Sequence, residues 1–445
     1  MPPPPPPSYG KPDHPRRMLP SILLPTMRPS LLLPLVTFAL AVSPASASPY
    51  DPSWAASKPK RTIQHSNPNG DALVKAIAAL QPGDHLEIAS GTYSINRMWD
   101  VHTSGTASAP VWITAAKNAK VIITRPDDQQ NVINIGQAKP VQFLCLRGLE
   151  FTGGSHGIRI GQVSNFWLDQ CHIHHTGEVC VSANSANTSH LHLTRNHIHH
   201  GAGHAEGFYL GANNGDHIMS ESIIALNHVH DCRGEQGDGI EVKQGSWGNL
   251  IAENHVHDTN YPCITVYGTN GNPVNTIERN LCYNSNDHVM QVQGDALVRN
   301  NVLINGAHAG FASTDHQGKS ANLKVVHNTI VNRAHAFRAN SWNDREGMVL
   351  ANNVLYSTEE NAILFTNGSS GVTSAGNVVL GNGPRTGTSF GRGLTDLPNL
   401  SPDGSKHDAT PAPDAPFNSA DPRFLEKSDF LGHPRSRPVS GAITR

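Results

Sequence analysis

Asn196-His-Ile-His-His200, Asn227-His-Val-His-Asp231 and Asn254-His-Val-His-Asp258 are three copies of one unit. Eight to ten residues after each leading Asn begins a short apolar run: Glu206-Gly-Phe-Tyr-Leu-Gly211, Gly237-Asp-Gly-Ile-Glu-Val-Lys243 and Pro262-Cys-Ile-Thr-Val-Tyr-Gly268. A unit this small cannot enclose a core, so it must stack on its neighbours. The repeat therefore reads as the coils of a parallel β-helix. Its register is carried by Gly148, Cys171, Asn196, Asn227, Asn254, Asn280, Asn301, Asn328, Asn353 and Asn377, at intervals of 21 to 31 residues.

Strands of stacked coils lie about 4.8 Å apart, and alternate residues point to opposite faces. Aligning the second strand of each coil separates an inward column, Ile158, Val179, Phe208, Ile240, Ile264, Met290, Phe311 and Phe337, from an outward one. A second inward column follows two residues on: Ile160, Val181, Leu210, Val242, Val266 and Val292. Both are apolar, as a solenoid core requires. The outward residues are Arg159, Cys180, Tyr209, Glu241, Thr265, Gln291, Ala312 and Arg338, then Gly161, Ser182, Gly211, Lys243, Tyr267, Gln293, Thr314 and Asn340. The turn just before adds Glu206, Asp238, His288 and His335 to the same face.

A chain of 445 residues, 37% hydrophobic with a net charge of −2, can fill one long core. That charge points to neither nucleic acid nor a membrane surface as partner. Met27 to Ala47 has a basic start, an apolar stretch from Leu31 to Val42 and an Ala45-Ser-Ala47 cleavage site, so residues 1–47 read as leader and signal peptide of a secreted protein. No later run approaches the roughly 20 apolar residues of a membrane span. Residues 48–70 read as a linker and 71–384 as the β-helix, opened by an amphipathic capping helix over Asp71 to Leu80. Residues 385–445, rich in Pro, Asp and Ser, read as an irregular C-terminal cap. The chain is expected to act as a monomer. Cys145, Cys171, Cys180, Cys232, Cys263 and Cys282 match no disulfide framework or zinc spacing and are expected to be free and buried.

The repeated asparagines are expected to bond to one another and to the turn amides. His172, His197, His228 and His255 form one column, and His174, His199, His230 and His257 another, on the first strand of each coil. Stacked side chains are routine on a solenoid face, although imidazoles are also common ligands of transition metals. The sharpest chemistry lies in Gly237 to Lys243. Glu206, Asp238 and Glu241 are hard oxygen donors of the type Ca²⁺ takes, and Lys243 shares the face of Glu241.

The pairing of Ala72–Ser94 (ALVKAIAALQPGDHLEIASGTYS) with Ser108–Pro126 (SAPVWITAAKNAKVIITRP), followed by Asn-led coils, resembles the pectate-lyase-like right-handed β-helix superfamily, and within it the alginate lyase and chondroitinase B type of polysaccharide lyase. The resemblance spans roughly residues 70 to 445. It implies an all-β, right-handed parallel β-helix acting on an acidic polysaccharide. In such lyases a metal or basic cluster neutralises a uronate carboxylate, a lysine or arginine removes the C5 proton, and β-elimination follows. Carried onto this chain, Lys243 is the candidate base, Tyr267 the candidate acid and His288 the reserve base. Glu206, Asp238 and Glu241 become candidate Ca²⁺ ligands, and Tyr209, Gln291, Gln293, His335, Arg338 and Asn340 a strip for an extended sugar polymer. The chain departs from the family pattern in placing its lysine only two residues after Glu241, with Thr265 and Tyr267 rather than an arginine on the next coil. A lysine near pKa 10.4 must be lowered to act as base, which its acidic neighbours oppose unless a cation offsets them. Two other readings compete: a glycoside hydrolase using Glu206, Asp238 and Glu241, and a non-catalytic glycan-binding surface protein.

Overall fold

The computed structural model describes residues 48–382 and 387–444. The leader and signal segment 1–47 and the expected boundary at 384 and 385 lie outside the described residues. From Ser48 onward the chain forms one compact unit. Among the described residues, three parallel sheets run its length, and each coil between the two ends gives one strand to each. In one coil these strands are Leu250–Ala252, His255–Thr259 and Ile264–Val266. We call the sheets first, second and third in that order.

The corner between the first two sheets is made by a residue of positive φ followed by the repeated Asn. Arg195, Leu226, Glu253, Arg279, Asn300, His327 and Asn352 all take the left-handed conformation there. Such a corner costs strain for a side-chain-bearing residue, and the Asn behind it supplies compensation. The Asn254 side-chain oxygen accepts from the backbone N–H of Asn227 at 3.1 Å and from its side-chain amide at 2.9 Å. Asn254 in turn donates to Asn280 at 3.0 Å and to the carbonyl of Ile224 at 2.8 Å. The pattern continues unbroken from Asn196 to Asn377. These amides are buried and fully bonded, as buried polar groups must be.

Inside lies one apolar core that includes Phe208, Ile240, Val242, Ile264, Val266, Phe311 and Phe337. One coil differs from the expected columns. Ile158 pairs with Val181, not Val179, and Arg159 with Ser182, so Cys180 is not outward. It is fully buried, 3.5 Å from the Thr176 hydroxyl. All six cysteines are free and buried.

The capping helix, Gly70–Ala78, starts at an Asn69 side chain that accepts from the amide of Ala72, and buries Leu73 and Ile77 over the open end. Residues 48–70 are not a linker. Arg61–His65 is the first strand of the first sheet, paired with Asp84–Ile88, and Trp54 packs among Trp112, Phe143 and Trp167. Ahead of it, Tyr50 donates to Glu253 at 2.9 Å and Asp51 pairs with Arg195 at 2.6 Å. The C-terminal segment lays Leu397, Leu400, Phe417, Val439 and Ile443 over Val302, Ile304, Val331, Val354 and Tyr356 of the second sheet. No helix among the described residues is long and apolar enough to cross a membrane.

Candidate active site

The third sheet holds a cleft of about 440 Å³ lined by Asp238, Glu241, Lys243, Thr265, Tyr267 and Gln291 from three consecutive coils. Strand pairing places Tyr209 beside Glu241, and Glu241 beside Thr265. Lys243 is almost fully enclosed: its Nζ donates to Glu241 at 2.5 Å and lies 4.4 Å from the ring centre of Tyr209 and 5.4 Å from that of Tyr267. Asp238 accepts from the Thr265 hydroxyl at 2.5 Å. Glu206 is completely buried, with neither carboxylate oxygen bonded, and Glu241 keeps its second oxygen free.

Burial pushes the Glu206 carboxyl up. It pushes Asp238 well up, with the neighbouring Glu241 charge adding to it. Burial raises Glu241 as well, against the pull of the Lys243 ammonium. For Lys243, burial alone would lower the pKa, but the charge and hydrogen bond of Glu241 outweigh it, so the ammonium is held. Tyr267 is shifted strongly upward, by burial and then by Glu241 and Asp238, and keeps its proton.

The unbonded oxygens of Glu206 and Glu241 fit the demand of a hard cation for oxygen ligands, since a carboxylate buried without a partner is otherwise costly. Among the described residues, however, the groups of three donor atoms lying within 4.8 Å of one another stand on or beside the histidine strands of the second sheet, not on these acids.

The other expected site residues lie off the cleft. Gln293 is buried and donates to Gln244 at 3.2 Å. His335 pairs with Glu360 at 2.8 Å, and Arg338 donates to Asn340 at 3.2 Å, whose oxygen also accepts from Thr366. His288 is enclosed, and burial holds its pKa down at about 4. The cleft also recruits residues that the strand columns do not show: Asn213, Gln236, Tyr261, Asp287, His316 and Gln317. His316 packs 5.3 Å from Tyr267. Gln317 donates to the Asn213 side chain at 2.9 Å and accepts from the amide of Asn214 at 2.8 Å, so two loops from distant coils meet over the site. The one available signal was the 31-residue step from Asn196 to Asn227, the longest in the series, which contains the Asn213 loop.

The family described as "Right handed beta helix region" matches residues 120–276. The solved pectate lyase Pel9A superposes with a TM-score of 0.53 at 15% identity, over 88% of this chain and 98% of its own. The fold is the right-handed parallel β-helix. XylC, in complex with xylose, superposes on this β-helix with a TM-score of 0.55 at 10% identity, over 86% of this chain and 98% of its own. The PL6 family alginate lyase AlyGC gives 0.49 at 16% identity, covering 74% of this chain and 53% of its own. No curated protein sequence matches. Likeness at this distance is one of fold, and the activity of the β-helix must be argued from its own cleft.

Proposed function

We propose that this protein is an exported polysaccharide lyase that cleaves a uronate-containing glycan by β-elimination in the third-sheet cleft. The observation that carries the reading is Lys243, held between two tyrosine rings and 2.5 Å from Glu241, beside carboxylate oxygens that bond to nothing. As a free amine, Lys243 takes the C5 proton of the uronate. The C5–H electron pair becomes the C4–C5 double bond, the C4–O bond breaks, and the departing oxygen takes the proton of Tyr267. Tyr209 offers an aromatic face to a sugar ring, and Gln291 a hydrogen-bonding amide. Lys243 works as base only when Glu241 no longer holds its proton, because general-base efficiency needs a pKa near the working pH. Glu206, Asp238 and Glu241 are the residues that would hold Ca²⁺. When bound, the ion supplies positive charge that offsets these acids and the uronate carboxylate.

A second reading, glycoside hydrolysis, draws on Asp238, whose carboxyl is pushed well up by burial and then by Glu241, the direction in which a general acid is tuned. One experiment separates the two. The purified protein is incubated with a panel of uronate-rich polysaccharides, with and without Ca²⁺, while near-ultraviolet absorbance and reducing ends are followed. Absorbance from the new double bond supports the lyase. Reducing ends without it overturn the lyase in favour of hydrolysis, and binding without either product leaves only a glycan-binding role.

A further inference from the structure

The two histidine columns lie on the second sheet, on a different face from the cleft, and the function proposed above does not use them. Strand pairing aligns His172, His197, His228 and His255, and beside them His174, His199, His230 and His257. Imidazoles stack at 4.7 to 5.0 Å down the first column and 4.9 to 5.1 Å down the second. Between columns the ring nitrogens meet diagonally. His172 Nε2 lies 2.8 Å from His199 Nε2, His197 Nε2 lies 2.8 Å from His230 Nε2, and His228 Nε2 lies 2.9 Å from His257 Nε2.

These contacts create three successive triads whose donor nitrogens lie within 4.8 Å of one another: His172, His197 and His199; His197, His228 and His230; His228, His255 and His257. The rings are oriented from behind. Asp231 accepts from His230 Nδ1 at 2.8 Å and Asp258 from His257 Nδ1 at 2.6 Å, which turns each Nε2 toward its triad. A carboxylate behind the imidazole is the usual support of a histidine that binds metal. The columns are not needed to receive the C-terminal segment. Farther along the sheet the same positions are occupied by Val302, Ile304, Val354 and Tyr356, and there the C-terminal segment covers them. The histidine coils are only half-buried.

The geometry points to a ladder of three-nitrogen sites for a late first-row divalent ion of the zinc class. Imidazole donors without carboxylates select Zn²⁺, Cu²⁺ or Ni²⁺ over Ca²⁺ and Mg²⁺. Three protein nitrogens leave the fourth position of a tetrahedral Zn²⁺ to water. The triads share members: His197 serves the first and second, His228 the second and third. Filling the outer two therefore deprives the middle one, and the ladder takes two ions.

The test is Zn²⁺ titration of the chelator-stripped full chain, followed by calorimetry and by metal content after gel filtration. Two tightly bound ions are expected. His197→Asn leaves only the third triad and His228→Asn only the first, so each should bind one. The double variant should lose both, while His190→Asn, outside the ladder, should keep two. Absence of tight Zn²⁺ binding by the unmodified chain, or two ions retained in the double variant, overturns the proposal. Should the double variant fail to fold, Co²⁺ bound to the unmodified chain decides. Intense visible bands of a four-coordinate ion support the ladder, and the pale spectrum of six-coordinate Co²⁺ overturns it.

Discussion

The asparagine ladder and the acid cluster of the cleft both stack buried polar side chains on successive coils, yet one is saturated with hydrogen bonds and the other is starved of them. Asn254 accepts twice and donates twice. Glu206 makes no side-chain bond at all. The difference lies in the groups themselves. An amide carries both donors and acceptors, so identical copies satisfy one another indefinitely along the axis, whereas ionised carboxylates only accept and cannot pair with their own kind. A column of amides is therefore complete in itself. A column of acids needs a proton, a cation or a substrate.

Making the ladder resemble the cluster should have the largest effect. Asn254→Asp replaces a donor with a charge, so that Asn280 keeps only the Asn254 backbone N–H and the Ile224 carbonyl loses the side-chain donor, and should destabilise by about 3 to 5 kcal/mol or prevent folding, as read by urea denaturation. Removing the cation of the cluster comes next. Lys243→Ala should lower turnover about 10²- to 10⁴-fold once a substrate is found and, by leaving the buried Glu241 without its bond, should lower stability as well, and Tyr267→Phe should also slow the reaction. Full activity in Lys243→Ala would remove the proposed base.

Supplying the missing partner from solution should help the cluster and leave the ladder indifferent. Ca²⁺ at a hundredfold excess over its dissociation constant should stabilise by about 2.7 kcal/mol, and chelation should reverse this. An unchanged Tm would take the acids out of that role. Making the cluster apolar should act in the same direction. Glu206→Met should stabilise at pH 7 by about 1 to 3 kcal/mol. Because the folded-state pKa of Glu206 is raised, the native protein gains stability as the pH falls toward the unfolded value, so the advantage of the variant should shrink near pH 4. The smallest effect concerns buried histidines that belong to neither the asparagine ladder nor the acid cluster. Burial lowers His156 and His288 to about 4 and His327 to about 3. Their contribution is present above about pH 6.5 and lost as the pH falls toward those values, so His327→Gln should flatten acid unfolding in that window.

Why some features were legible in the sequence and others not follows from the same physics. Coil spacing and the asparagine role could be read because each coil repeats one requirement, an amide at a corner. The cleft residues Asp238, Glu241, Lys243 and Tyr267, with Glu206 and Tyr209 beside them, could be gathered because they lie on the repeat itself. The register slipped by two residues at Val179-Cys-Val-Ser-Ala183, where Val179, Val181 and Ala183 are apolar on one parity, so alternation alone cannot say which of them lies opposite Ile158. The segment 48–70 resembled a linker because Tyr50 and Trp54 find their partners across several coils, at separations no period encodes. His316 and Gln317 sit in a loop, where the repeat is interrupted. Gln293, Arg338 and Asn340 share the outward parity and His335 reads as part of the turn before its strand, but position in the repeat does not reveal the neighbours that occupy them.

The residues just after Ser48 also change what kind of object the solenoid is mechanically. Stacked coils touch only their neighbours, and such arrays can melt piecemeal from either end. Here Trp54 grips the coils of Trp112 and Trp167, Asp51 holds Arg195, the Tyr50 carbonyl meets His192, and the Tyr50 hydroxyl reaches Glu253 and Arg279. That short stretch runs along the stack like a tie rod, fastening the coil of Trp112 to those of Glu253 and Arg279, far beyond its nearest neighbours. Opening any one of them strains the fastening on the others, so this half of the molecule should come apart as one cooperative block, while a chain cut between Trp54 and Arg61 would lose that unity before it lost its coils.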